Sequence, residues 1–364
     1  MTSSFFSPVL ARLIPYVPGE QPPIDNLVKL NTNENPYPPS SRVIAAIQAA
    51  AQQGLQLYPD PDATVLKQVI ATHHSLAVQH VFMGNGSDEV LAHAFFAFFQ
   101  QGCPLLMPDI SYGFYKVYCG LYEIPVELVP LTSDMQLDVA AYARAEPKSV
   151  AGVVMANPNA PTGIGLPLEH IEELLQLHPN RVVLVDEAYV DFGGQSSIPL
   201  IAKYPNLLVV HTLSKSRSLA GLRVGFACGQ AHLIEALECV KNSFNSYPLD
   251  RLAIAGGVAA FEDVNYFEQT RLAVMSSREG LALALEDLGF QVLPSQTNFV
   301  FVRHPQYDAA HIAGGLRALG VLVRHFKLPR VDQYLRISIG TPAQCDALLQ
   351  ALGSVLPGLA KLFV

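Results

Sequence analysis

The sequence holds no C-x-x-C pair: its five cysteines, Cys103, Cys119, Cys228, Cys239 and Cys345, are widely spaced and odd in number. That pattern excludes a zinc ribbon and a disulfide framework, and the thiols read as reduced, mostly buried small hydrophobes. No H-x-x-x-H or H-E-x-x-H spacing puts two of the eleven histidines on one helix face, so no metal site is expected. The longest apolar run, Val90 to Phe99, is interrupted by His93 and is too short to span a bilayer. Met1 to Tyr16 offers no basic segment ahead of an apolar one, so a cytoplasmic protein is expected. Charge is scarce at 15%, and its balance is acidic, 23 Lys+Arg against 31 Asp+Glu, which disfavours nucleic-acid phosphates as partners and favours small molecules.

What is present is apolar bulk. Half of the 364 residues are hydrophobic, too many for a disordered chain, and the length suits roughly two domains of about 100–200 residues each. Eight prolines fall within residues 1–40, a density that forbids long helices and predicts an extended arm packed on another part of the molecule. From residue 41 helical stretches (Arg42–Gln53, Ala63–His74, Leu168–Leu177) alternate with short apolar runs ended by polar residues: His80–Met83, Pro104–Pro108, Ser149–Ala156, Arg181–Val185 and Leu207–Val210. Doubly buried strands with helices between them predict an α/β fold, a mostly parallel sheet covered by helices. After Phe261 a long helix, Tyr266–Leu288, is followed by the short runs Phe290–Leu293, Asn298–Val302, Leu319–Val323 and Tyr334–Ile339, the texture of a smaller α+β domain. The expected division is an arm over 1–40, a large domain over 41–262 and a small one over 263–364.

Ligands of open α/β sheets bind beyond the carboxyl ends of the strands, so the residues ending each run form one candidate constellation. Gly84-Asn85-Gly86-Ser87-Asp88-Glu89 follows a strand and opens a helix, which suits a phosphate, although an ordinary turn capped by Ser87 gives the same pattern. Asp186 ends an apolar strand and needs a cationic partner, for which a protonated ring nitrogen is one candidate, an arginine salt bridge or a helix cap being the other readings. Lys215 follows another apolar strand, surroundings in which a lysine serves as a nucleophilic amine, and Ser214, Ser216, Arg217 and Arg223 around it favour phosphate. A lysine for an imine, a carboxylate for a ring N–H and a phosphate cradle together fit pyridoxal 5′-phosphate.

With these residues in view, the chain resembles the fold-type I, pyridoxal-phosphate-dependent enzymes of the class I/II aminotransferase family. Asn157-Pro-Asn-Ala-Pro-Thr-Gly163, Asp186-Glu-Ala-Tyr189, Thr212-Leu-Ser-Lys215 and Gly221-Leu-Arg-Val-Gly225 occur in that family's order. Leu30-Asn-Thr-Asn-Glu-Asn-Pro36, Leu57-Tyr-Pro-Asp60, Ser111-Tyr-Gly-Phe-Tyr115 and Leu335-Arg-Ile-Ser338 are similar to its members that act on histidinol phosphate. The resemblance implies ping-pong transamination, through pyridoxamine phosphate, between histidinol phosphate and 2-oxoglutarate, or in reverse between glutamate and imidazole-acetol phosphate, in histidine biosynthesis. Aromatic amino-acid transamination and decarboxylation of threonine phosphate are the alternatives within the same fold.

It further implies that Lys215 bonds the cofactor and moves the substrate proton, that Asp186 holds the pyridine nitrogen protonated, and that Tyr112 stacks on the ring. Tyr189 would bond the ring's phenolic oxygen, while Gly86, Ser87, Asp88, Thr212, Ser214 and Arg223 would surround the phosphate. Tyr58 would reach the phosphate of a neighbouring subunit, which implies a homodimer. Arg336 and Arg324 would clamp the substrate's anionic end, with Asn33 beside it and Tyr16 closing over it from the arm. The family usually carries Asn directly before Pro-Thr-Gly; here Ala160 stands there. Asn157 or Asn159 would then replace that amide, or Tyr189 would hold the ring oxygen alone.

Overall fold

The computed structural model describes residues 4–23, 26–143 and 149–360; residues 1–3 and 24–25 of the expected arm lie outside them. The first strand, β1 (Val28–Leu30), joins a sheet completed only near the other end of the chain. The next seven strands are β2 (Val81–Asn85), β3 (Leu105–Pro108), β4 (Val126–Val129), β5 (Gly152–Ala156), β6 (Val182–Asp186), β7 (Leu207–Thr212) and β8 (Val224–Gly229). They form one sheet in the order β2-β8-β7-β6-β5-β3-β4, parallel except for β8, which runs antiparallel between β2 and β7.

Every residue of β5, β7 and β8 is buried, because helices cover both faces of this sheet. Val183 and Val185 point into one core, beneath α1 (Ser41–Ala51) and α2 (Thr64–His73); Leu184 points into the other, beneath α3 (Gly86–Ala94) and α4 (Phe114–Leu121). The alternation follows from the period of two along a strand. On the first face lies α5 (Leu168–Leu177), with Ile171, Leu174 and Leu175 buried at helical spacing. Each such side chain contributes about 1.5–3 kcal/mol when fully buried. The second face also receives α6 (Ala231–Phe244), and the first receives α7 (Arg251–Glu262), whose start is capped by the Asp250 carboxylate accepting from Leu252 N and Ala253 N.

The long helix α8 (Val264–Asp287) starts two residues earlier than the sequence pattern predicts, because Asp263 caps it by accepting from Tyr266 N. It leads to β9 (Gln291–Val292), β10 (Phe299–Arg303), α9 (Ala309–Ala318), β11 (Val321–His325), β12 (Leu335–Ser338) and α10 (Pro342–Ala360). These strands make a second sheet, β1-β11-β12-β10-β9, in which β1 pairs parallel to β11 and the other pairs are antiparallel. Its core joins Leu30, Val300, Val302, Val321 and Ile337 to Ile312 of α9 and Leu348 and Leu352 of α10. A separate apolar cluster, Ile110, Leu131 and Met135 against Phe301, Val331 and Tyr334, ties the carboxyl edge of the first sheet to the second.

Among its described residues the proline-rich segment is irregular apart from a short turn of 3-10 helix at Pro8–Arg12 and strand β1. It is held to the second sheet and its helices by Arg317 bound to the Glu20 carboxylate, by Asn31 Nδ2 donating to the Glu20 carbonyl and by Arg324 Nη2 donating to the Val17 carbonyl. Among the described residues no helix is long and apolar enough to cross a membrane.

Candidate active site

The carboxyl ends of β2, β5, β6 and β7 converge on a cavity of about 110 Å³. Ser87 and Asp88 line it from the start of α3, Tyr112 from the turn before α4, Ala156 from the end of β5 and Ala160 from beyond it. Asp186 comes from the end of β6 with Ala188 and Tyr189 just beyond it, Thr212 from the end of β7, and Ser214, Lys215 and Arg223 from the segment joining β7 to β8. The four motifs thus meet at one place.

One end of the cavity is built for an anion. Gly86 opens α3 with φ +81°, and a Cβ there would sit 2.4 Å from Arg223 Nη2, so only glycine lets the guanidinium lie against the helix start. Gly225 is packed on the same turn, where a Cβ would meet Ser87 N at 2.3 Å. Ser214 Oγ is buried there with no hydrogen-bond partner among the described residues. A helix N-terminus, a guanidinium and an unused hydroxyl form a donor set that fits a phosphate. Asp88 holds this end in place: Oδ2 accepts from Arg223 Nη2 at 2.9 Å and Oδ1 from Tyr112 Oη at 3.0 Å. Thr212 acts within its own loop, Oγ1 accepting from Ser214 N at 3.1 Å.

Asp186 occupies the buried floor, 5% exposed. Its Oδ2 accepts from Tyr115 Oη at 2.9 Å and its Oδ1 from Ala188 N at 3.2 Å. Burial pushes its carboxyl up to about 6, against the opposing effect of the Tyr115 hydrogen bond. Among the described ion pairs none joins Asp186 to a lysine or arginine, so the arginine partner considered from sequence is not found. A carboxylate that burial makes costly to ionise, with no protein cation beside it, fits the protonated ring nitrogen of pyridoxal phosphate.

Lys215 Nζ donates to the Thr32 carbonyl at 3.2 Å and lies 5.7 Å from the centre of the Tyr189 ring. Tyr189 Oη accepts from Asn33 Nδ2 at 2.9 Å, which leaves the phenolic proton for another acceptor. Asn33 is buried with φ +58°; its Oδ1 accepts from Ser338 Oγ, its own N–H donates to that same oxygen, and its carbonyl accepts from Asn298 Nδ2. One asparagine therefore ties the arm and β12 to Tyr189.

Asn157 and Asn159 do not line this cavity. Asn157 closes a loop through Leu166, accepting its N–H at 2.7 Å and donating to its carbonyl at 3.1 Å. The Asn159 amide donates to the Ile110 carbonyl and to Thr162 Oγ1 while its oxygen accepts from Ser111 Oγ. Both amides are consumed by the turn, and Ala160 presents only a methyl group to the cavity that Tyr189 also lines. Tyr58 is also absent from the lining: 79% exposed, it stacks on Tyr247 at 4.7 Å beside a separate hollow of about 500 Å³ that Arg223 borders as well.

The two arginines lie on the second sheet, Arg324 of β11 paired with Arg336 of β12. Arg336 is held by the Asn31 carbonyl through Nη2 at 2.9 Å, and its Nε is buried with no partner among the described residues. Burial, and beyond it the charge of Arg324, pushes the Arg336 guanidinium below its ordinary value, while the neighbouring phenols of Tyr189, Tyr16 and Tyr112 oppose the shift. Tyr16 packs its ring 5.0 Å from Phe114 and 6.4 Å from Tyr112, which brings the arm to a residue lining the cavity.

Tyr115 is the residue that the sequence reading did not assign. Its signal is the spacing from Tyr112, three residues on, where the turn entering α4 brings the Tyr115 N–H onto the Tyr112 carbonyl. Among the described residues no group of three or more His, Cys, Asp or Glu side chains is placed to hold a metal ion.

The family described as aminotransferase class I and II matches residues 25–352. Histidinol-phosphate aminotransferase 1 of Methylococcus capsulatus is 59% identical over 98% of this chain and 99% of its own length. The enzyme of the same name from Pseudomonas aeruginosa is 59% identical over 96% and 99%. Among solved structures, histidinol-phosphate aminotransferase of Sinorhizobium meliloti in complex with pyridoxal-5′-phosphate superposes with a TM-score of 0.88 at 25% identity, covering 98% of this chain and 99% of that one.

Proposed function

This chain belongs to the aminotransferase class I and II family, and from that premise we propose that it transfers the amino group between histidinol phosphate and 2-oxoglutarate through pyridoxal 5′-phosphate. The observation that carries the substrate is the pairing of Arg324 with Arg336 across β11 and β12, with an unused buried N–H on Arg336. Two guanidiniums suit the phosphate of one substrate, and Arg336 alone suits the carboxylate of the other.

When bound, the cofactor supplies a ring that takes up the electron pair left at the substrate's Cα as a proton departs. Lys215 would hold the cofactor through its amine and would serve as the base that takes the proton from the substrate's Cα. Its place beside the Thr32 carbonyl keeps the amine aimed from the arm side of the cavity. Asp186 would hold a proton on the ring nitrogen, Tyr189 would donate to the ring oxygen, and Tyr112 would supply an apolar face. Ser214, the α3 start and Arg223 hold the phosphate group. Tyr16 shuts water away from the substrate's anionic end.

We further infer a homodimer in the cytoplasm in which Tyr58, exposed and stacked on Tyr247, completes the phosphate site of the second subunit. The chain divides into an arm over 1–40, a large domain over 41–262 and a small one over 263–364, a reading supported by the distribution of strands between the two sheets. The aromatic surroundings of Tyr16, Tyr112 and Phe114 support a second reading, transamination of phenylalanine or tyrosine.

The test is an absorbance titration of the purified, cofactor-loaded protein with single amino donors. Histidinol phosphate is expected to discharge the visible band at micromolar concentration, with phenylalanine needing far more. The reverse order replaces the first reading by the second, and no visible band with added pyridoxal phosphate overturns both.

A further inference from the structure

Tyr115 is 0% exposed, so its phenol needs a partner inside the protein. The partner it has is ionisable: Oη donates to Asp186 Oδ2 at 2.9 Å. Its ring is held on two sides, stacked near Phe95 with centroids 6.0 Å apart and edge-on to Tyr112 at 5.5 Å, and its backbone N–H closes the first turn of α4 onto the Tyr112 carbonyl. The hydroxyl is therefore fixed against the carboxylate by packing that does not depend on a ligand.

We propose that Tyr115 is a positioning residue for the cofactor's ring nitrogen, acting through Asp186 to keep the shared proton on the ring. The proposal rests on the pyridoxal-phosphate reading above. A carboxylate and a ring nitrogen facing one another compete for one proton, and the weaker base yields it. Each hydrogen bond donated to Asp186 makes it the weaker base. Two donors do so, Ala188 N at 3.2 Å and Tyr115 at 2.9 Å, and of these only Tyr115 can be removed by changing a side chain. Burial and the adjacent Asp186 charge hold the phenol far above its ordinary value, so it remains a donor across the working pH range. Tyr112, which packs on both the cavity and Tyr115, links the ring face and the ring nitrogen to one aromatic cluster.

The experiment measures equilibrium binding of pyridoxal phosphate, and of the analogue with carbon in place of the ring nitrogen, to cofactor-free wild type and Tyr115→Phe. Phenylalanine keeps the ring contacts and removes only the hydroxyl. Affinity for pyridoxal phosphate is expected to fall about 10-fold or more in the variant, the size of one hydrogen bond to a charged group, and affinity for the analogue to stay unchanged. Equal losses for both ligands, or no loss for either, overturn the proposal. Wild type that binds the analogue as tightly as pyridoxal phosphate overturns the cofactor reading instead. A second measurement, which leaves Tyr115 in place, covers the case in which Tyr115→Phe does not fold. A tyrosine hydroxyl proton resonance that Asp186→Asn displaces is expected to shift when pyridoxal phosphate is added and not with the analogue; a resonance that ignores both overturns the proposal.

Discussion

Arg324 and Arg336 occupy paired positions on β11 and β12, two like charges directly opposite one another at the edge of the site. Such a pair costs stability in an empty sheet and is relieved by an anion bridging the two. The structure offsets it with backbone carbonyls, Val17 under Arg324 and Asn31 under Arg336. On the proposed reading, the pair gives up stability at a place that an anionic ligand would bridge.

Arg324→Ala is accordingly expected to lower kcat/KM for histidinol phosphate by about 10–100-fold, equivalent to ~1.5–3 kcal/mol for contacts to a charged group, while leaving phenylalanine turnover nearly intact. The cofactor-free protein should melt no earlier than wild type, since a repulsion is removed. Equal losses on both substrates would assign Arg324 a general structural role.

Lys215→Ala leaves the phosphate cradle and Asp186 in place and removes the amine. The variant is expected to retain pyridoxal phosphate without the visible band of the lysine-bound form and to lose turnover by orders of magnitude. Spectra and single-turnover assays read both; a variant keeping band and turnover would sink the assignment.

Gly225→Ala tests the close approach of β8 to the α3 start. A methyl group 2.3 Å from Ser87 N must push the turn away from Arg223, at a cost of about 1–3 kcal/mol for an overpacked interior site. A lower urea midpoint together with weaker cofactor binding is the expected result, and an unchanged midpoint would show that the turn yields freely.

Asp186 gives a pH dependence with a definite sign. Its carboxyl sits near 4 when unfolded and is pushed up to about 6 by burial in the fold, so between those values the folded chain binds a proton that the unfolded chain has lost. Its contribution to stability therefore falls as pH rises from about 4 to about 6. Melting temperatures of cofactor-free wild type should drop relative to Asp186→Asn across that window, and added cofactor should raise them more at about pH 7.5 than at about pH 5. An opposite slope would place the carboxylate in a stabilising ion pair.

Much of the site was legible because strand-end residues in an α/β sheet are fixed in space by the sheet itself. The polar ends of β2, β6 and β7 had to lie at one edge, and Asp186, Lys215 and the Gly84–Glu89 loop do so. The uses of Asn157 and Asn159 were not legible, since an amide in a proline-rich turn serves its own backbone or a ligand with the same chemistry. Tyr115 escaped because a buried tyrosine reads as packing until its hydroxyl's partner is known. Strand β4 escaped for another reason. At the sheet's edge it exposes three of its four residues, and so lacks the apolar signature of the strands inside.

The pairing of Val28 with Val321 has a consequence for how the molecule comes into being. Strand β1 leaves the ribosome among the first segments and finds its hydrogen-bonding partner only when nearly the whole chain has been synthesised. Contacts so distant in sequence form late and slowly. Asn33, just beyond that strand, has its partners Ser338 and Asn298 near the far end of the chain and waits with it, so this side of the pocket around Lys215 is completed late. A nascent chain arrested before β11 would carry the lysine, the aspartate and the phosphate cradle, yet nothing to seal them from water.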